Sequence, residues 1–337
     1  SGAAAASIQD GGRIGFGRFG VPRSGALDAV LLRLANTLVG APPAQAAFEI
    51  RLQGPILQAV GGPIRLGLAG GLSAQRQDAG GAAIGAVDSW RSVLLHPGER
   101  LSVRAPKDLS VGYVAIAGGL ALKPTLGGLS TYARAQLGVT GLADHDVIAL
   151  RAASNPDPPD RRLPPPAVAP PATLRVMPGP QDDYFDGATM AAFFSQTYRV
   201  GSAIDRMGAR LAGETPLRAK PDFGHDLTSD GLVPGAIQVP ASGEPIILGV
   251  DCQTVGGYPK IATVIRADLH RIGRLRPNQP IRFTAVDRQH AARAWADLQA
   301  ELRALEAQIV DSADSLDLRA LYQANLIDGV VSAEIEK

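Results

Sequence analysis

Eight of the 17 residues from Asn155 to Pro171 are proline. A stretch so poor in amide donors cannot run through a helix or the interior of a sheet, so it is expected to pass extended as a semi-rigid connector. It splits the chain into an N-terminal half over residues 1–153, a linker over 154–171, a C-terminal half over 172–286 and a helical tail over 287–337. A length of 337 residues suits two cores better than one. Glycine (39) and proline (26) are frequent in both halves, which favours many short strands and turns over long helices.

The apolar runs follow the same pattern. In the first half, strands are expected over Ala47–Leu52, Ile64–Ala69, Ser92–Leu95, Leu101–Val103, Gly112–Ile116 and Asp146–Leu150, separated by Gly, Pro, Asp and Asn turns. In the second half they are expected over Thr173–Met177, Gly235–Val239, Pro245–Val250, Ile261–Ile265 and Ile281–Val286. A helix is expected over Ala26–Val39, where Leu27, Val30, Leu31, Leu34 and Leu38 recur at helical spacing behind Ser24 as N-cap. Met190–Gln196 and Asp314–Gln323 suit shorter helices. Asp287–Ile309 suits a long one, with Ala291, Ala294, Leu298, Leu302, Leu305 and Ile309 as its stripe.

Several functional classes fall away on composition. Lys and Arg total 33 against 32 Asp and Glu, so no strong field favours nucleic acid or an anionic membrane. Cys252 is the single cysteine; an internal disulfide is impossible, and a reducing cytoplasm is the expected setting. No basic-then-apolar leader and no bilayer-length apolar run is present. Gly15-Phe-Gly-Arg-Phe-Gly20 matches the dinucleotide fingerprint in letters only, because the helix begins too late to receive a pyrophosphate. The five histidines are scattered, and no metal site is expected.

Polar turns remain. Asp251-Cys-Gln-Thr-Val-Gly-Gly-Tyr-Pro-Lys260 places six functional side chains around a Gly-Gly turn directly after an apolar run. Such a turn lets a ligand approach the backbone while the sheet holds the polar groups at its rim. Gly20–Asp28 offers Ser24 and Asp28, for which a structural role in capping the helix is as good a reading as a ligand contact. Ser202–Leu211 offers the adjacent Asp205 and Arg206, an arrangement suited to orienting a carboxylate or phosphate. Leu227–Pro240 offers Ser229, Asp230 and Gln238.

These segments carry a family resemblance. Gly179-Pro-Gln-Asp-Asp-Tyr-Phe185, Ile204-Asp-Arg-Met-Gly-Ala-Arg-Leu211, Ser229-Asp-Gly231, Gly235-Ala-Ile-Gln-Val-Pro240 and Gln253-Thr-Val-Gly-Gly-Tyr-Pro-Lys-Ile-Ala262 resemble the KipA family. Val21–Asp28, Arg33–Asn36 and Glu49 resemble the same family, which includes the C-subunit of the bacterial 5-oxoprolinase. The family is also labelled allophanate hydrolase subunit 2 or biotin-dependent carboxyltransferase. Coverage runs from about Ser7 to Val286. Leu126-Gly-Gly-Leu-Ser-Thr131 departs from the family's Leu-Gly-Ser-Arg-Ser-Thr, which puts a ligand contact from that loop in doubt.

The resemblance implies a mainly β architecture of tandem cyclophilin-like β-barrel domains. It implies two partners, the KipI-like B-subunit together with the LamB/YcsF-type A-subunit; the complex would use ATP to open 5-oxoproline to glutamate. The chain alone, lacking a recognisable ATP loop, is then expected to be inactive. The alternatives are a carboxyltransferase component of a biotin-dependent urea or amide carboxylase, or a non-enzymatic regulator that binds a KipI-like kinase inhibitor. Either reaction acts on a planar, poorly reactive N–C=O group in a small amide-like substrate. That chemistry needs donors aimed at developing oxyanion charge and a group to manage the nitrogen proton. Arg206, Asp230, Lys260 and Tyr258 are therefore the catalytic candidates, and Asp205, Gln238, Gln253, Ser24 and Asp28 the substrate-binding ones.

Overall fold

The computed structural model describes residues 6–312 other than Gly141 and His225, and the protein is mainly β. The expected helix over Asp314–Gln323 lies outside the described residues. Among them, no helix is long and apolar enough to cross a membrane.

In the second half, seven strands close into a barrel in the order Thr173–Pro178, Lys260–Val264, Ala236–Gln238, Ile246–Leu248, Gly208–Ala212, Tyr198–Asp205 and Pro280–Ala285. Every ladder is antiparallel except the closing one, where Pro280–Ala285 runs parallel to Thr173–Pro178. Closure removes the exposed edges. The interior fills with Leu174, Val176, Val200, Leu211, Ile237, Ile247, Ile261 and Phe283, and Phe193 of the helix Gly187–Ser195 stacks on Phe283 with 4.8 Å between centroids.

In the first half, a seven-stranded sheet and a four-stranded sheet share one core of Ile8, Phe48, Leu66, Leu68, Val87, Val93, Leu101 and Val103. The larger sheet runs Ala6–Gln9, Ala47–Ile50, Gly112–Ile116, Ile64–Ala69, Arg91–Leu95, Arg161–Arg162 and Val310–Asp311. The first helix, α1 (Ala29–Leu38), covers its other face through Leu31, Leu34 and Leu38. It can sit so close because Gly67 faces it. A Cβ there would lie 2.6 Å from the Ala35 carbonyl oxygen.

Four expectations are corrected. The helix is capped by Asp28, whose carboxylate accepts from the Val30 and Leu31 amides, and not by Ser24. Asp146–Leu150 forms no strand and contributes one isolated bridge, Leu150 to Leu120. The polar segment Ser202–Leu211 is no open turn: the barrel strands Tyr198–Asp205 and Gly208–Ala212 run through it. The proline-rich segment does enter a ladder, because Arg161 and Arg162 lie between its proline clusters and keep their amides. Arg65 anchors the same segment through Asp160 and the Pro158 carbonyl.

The long helix Arg288–Glu306 is capped by Asp287 and returns to the first half. Its stripe residues Leu298, Leu302 and Leu305 join the α1 core, and Glu306 receives both Nε and Nη2 of Arg33 at 2.5 and 2.7 Å. Val310–Asp311 then pairs with Arg161–Arg162.

Candidate active site

The Asp251–Lys260 turn and the Asp230 segment meet at one rim of the barrel. Gly256 pairs with Asp230 and Val255 with Gly231 in a short antiparallel ladder, which holds the two polar segments side by side. Lys260 begins the barrel strand that continues to Val264, and its side chain is only 3% exposed. Its ammonium donates to Asp230 at 2.5 Å and to the Gly231 carbonyl at 3.3 Å.

Gln181 completes the group. Its side-chain amide donates to the same Asp230 oxygen at 3.2 Å, and its carbonyl oxygen accepts from the Lys260 amide at 3.2 Å. The Gly179 turn must pass against the Lys260 backbone to deliver Gln181: a Cβ on Gly179 would fall 2.0 Å from the Lys260 carbonyl oxygen. Gln238 sits opposite Lys260 in the ladder, buried, and donates to the Tyr258 carbonyl at 3.3 Å. Tyr258 and Gln253 are exposed on the adjoining turn.

Electrostatics follow the geometry. The hydrogen bond from Lys260, with further bonds from the Gly231 amide and Gln181, holds the Asp230 carboxyl down at about 2. At neutral pH the pair is a fixed ammonium–carboxylate dipole whose anion is half exposed. So weak a base orients an N–H rather than abstracting its proton. The ammonium, withdrawn from water beneath it, suits stabilising negative charge that develops nearby.

Arg206, Asp28 and Asp205 are placed elsewhere. Arg206 crosses to the first half: Nη1 donates to Glu49 at 2.7 Å, and Nη2 to Gln9 at 3.2 Å and to the Gly25 carbonyl at 2.6 Å. Nε and Nη2 also grip Asp251 at 2.7 and 3.0 Å. Burial disfavours its charge, but Glu49 and Asp251 outweigh burial and raise its pKa above the usual arginine value. All three of its nitrogens are engaged, so Arg206 ties the two halves together. Asp28 is likewise saturated, capping α1 and pairing with Arg274 at 2.6 Å. Tyr113 links the two by donating to Glu49 at 2.6 Å and accepting from the Asp28 amide at 3.0 Å. Asp205 caps the barrel hairpin through the Met207 amide at 2.7 Å.

Ser24 and Asp205 line a cavity of about 470 Å³ between the halves, which none of Arg206, Asp230, Gln238, Gln253, Tyr258 or Lys260 lines. The structure thus gathers Asp230, Lys260, Gln238 and Tyr258 at one rim, with Gln253 on the turn beside them, and places Ser24, Asp28, Asp205 and Arg206 elsewhere. Sequence reasoning passed over Gln181 as a site residue, although the Gly179–Phe185 motif contains it. It also missed Tyr113 and Arg274, whose partners lie far away in the chain. Cys252 is buried, and burial, with Asp251 nearby, pushes its thiol up to about 12. That makes it a poor nucleophile.

The family described as carboxyltransferase domain, subdomain A and B, matches residues 19–285. The 5-oxoprolinase C-subunit of Escherichia coli (strain K12) is 34% identical over 296 residues, covering 87% of this chain and 92% of that protein. The crystal structure of TTHA0988 superposes with a TM-score of 0.71 at 35% identity over 83% of this chain, which spans 53% of that one. The K. lactis urea amidolyase superposes with a TM-score of 0.77 at 26% identity over 94% of this chain, which spans 20% of that enzyme.

Proposed function

Because the chain belongs to the carboxyltransferase domain family, subdomains A and B, we propose that it is the C-subunit of a 5-oxoprolinase and works in the cytoplasm. The relative carrying that name is matched along 92% of its length, whereas the urea amidolyase contains this region as only a fifth of a much longer chain.

The observation that carries the mechanism is the Lys260–Asp230 pair at 2.5 Å with Gln181 on the shared oxygen. In this reading the Asp230 carboxylate accepts from the lactam N–H of 5-oxoproline and fixes the ring. The Lys260 ammonium faces the carbonyl oxygen, where negative charge accumulates as the N–C=O resonance is lost. Tyr258 supplies a hydroxyl donor at the edge, and Gln253 is exposed on the same turn. The reaction is completed by ATP, the KipI-like B-subunit, and the LamB/YcsF-type A-subunit; this chain alone turns nothing over.

The test is reconstitution of the three subunits with 5-oxoproline-dependent ATP hydrolysis as readout. Activity only in the full set supports the reading, and turnover by this chain alone overturns it. The likeness to the urea amidolyase keeps carboxyl transfer as a second reading, which predicts activity that depends on a biotinylated partner.

A further inference from the structure

We propose that the cavity between the two halves is a binding site for a small organic carboxylate, separate from the Lys260 cluster. At about 470 Å³ it has the size of a small-molecule site. Its walls are apolar (Leu27, Leu269 and Leu302 among them), and its polar lining is predominantly basic.

Arg23, Arg51 and Arg266 all line it. Among the described residues none has a carboxylate partner: Arg23 donates to the Gly11 carbonyl, Arg51 to the Ile204 carbonyl, and Arg266 lies 4.1 Å above the Trp295 ring. A fourth guanidinium, Arg33, is neutralised by Glu306. The two lining carboxylates are already engaged. Asp10 accepts from Gly12, Leu129 and Ser130, and Asp205 caps Met207. His270 also lines the cavity, and burial lowers its pKa, so it adds no charge at neutral pH.

Ser24 is the independent pointer to a ligand. It is 3% exposed, its hydroxyl has no hydrogen-bond partner, and its backbone is held at φ 54°, a conformation unusual for a residue with a Cβ. Its amide is fixed by the Val250 carbonyl, and the next carbonyl, Gly25, by Arg206. An unsatisfied hydroxyl at a buried position is costly unless something accepts its hydrogen bond. A carboxylate oxygen does so, with the unpaired arginines neutralising its charge and the leucine walls receiving its apolar body. The lining comes from both halves, so the ligand bridges them. This inference does not rest on the oxoprolinase reading.

The test is isothermal titration calorimetry on the purified full chain with cyclopentanecarboxylate, tetrahydrofuran-2-carboxylate and uncharged 2-pyrrolidone. Saturable binding of the two carboxylates, but not of 2-pyrrolidone, is expected. Ser24→Gly removes the hydroxyl while suiting the left-handed backbone, so it should fold. It and Arg51→Gln should each weaken binding about tenfold, the usual effect of losing a hydrogen bond to a charged group. No saturable binding, equal binding of 2-pyrrolidone, or unaltered affinity in either variant overturns the proposal. The readout is equilibrium binding to one chain, so its failure is distinct from a failure of turnover in the reconstituted complex.

Discussion

The Arg206 guanidinium of the second half lies 2.7 Å from the Glu49 carboxylate of the first, with Asp251 closing around its other edge. Breaking a buried pair leaves an uncompensated charge and typically costs about 3–5 kcal/mol. Arg206→Ala should therefore lower the stability by that order in a denaturant melt, and Arg206→Ala with Glu49→Gln should be less damaging than the sum of the two. A variant as stable as the wild type would show that the halves are held by other contacts.

Lys260→Met keeps the apolar stem but removes the ammonium that meets Asp230 at 2.5 Å. Turnover of the reconstituted complex should fall about 100-fold or more, the scale of losing one donor to a developing oxyanion. Far-UV circular dichroism and assembly with the partner subunits should be unchanged. Loss of folding would return Lys260 to a purely structural role.

Asp230 should titrate near 2 by carbon-13 NMR. Its folded value lies below the ordinary carboxylate value of about 3.9. The ionised carboxylate therefore favours the folded state above that ordinary value, and the contribution is lost as pH falls towards 2. In Lys260→Met the titration should move up towards the ordinary range. A wild-type midpoint near the ordinary value would contradict the pairing in solution.

Cys252, buried with its thiol pushed up to about 12, should resist iodoacetamide at neutral pH in the native protein. It should be alkylated readily in guanidinium chloride. Rapid labelling of the folded protein would mean that the turn opens.

At Gly67 a Cβ would meet the Ala35 carbonyl oxygen at 2.6 Å and the Val39 side chain at 2.9 Å. Gly67→Ala must push α1 off the sheet and should destabilise the protein by about 1–3 kcal/mol in a urea melt. An unchanged midpoint would refute the close packing.

Local patterns reach some of this architecture and miss other parts for identifiable reasons. Ile64–Ala69 and Gly112–Ile116 are legible to the residue because Gly61-Gly62-Pro63 and Gly70-Gly71 bracket the first mostly apolar run and Gly118-Gly119 ends the second. The stripe from Ala291 to Ile309 is legible because an amphipathic helix repeats its apolar face. The Tyr198–Asp205 strand is hidden: its register shifts between Val200 and Ile204, and the intervening Ser202 and Ala203 are exposed, so alternation breaks down. At the site, Lys260, Asp230, Gln238 and Tyr258 come from motifs close in sequence to the turn they build. Arg206 sits in an equally distinctive motif, yet its role is set by Glu49, Gln9 and Gly25, more than 150 residues away. Nothing in its own neighbourhood announces a partner so distant.

The strand Val310–Asp311 completes a sheet whose other members, apart from Arg161–Arg162, are made before residue 117. During synthesis the nascent first half must therefore wait for the whole barrel and the long helix to emerge before its last ladder can zip. Until then Arg161–Arg162 stands at the margin in place of Val310–Asp311, and a ribosome stalled after the barrel would present a sheet one strand short.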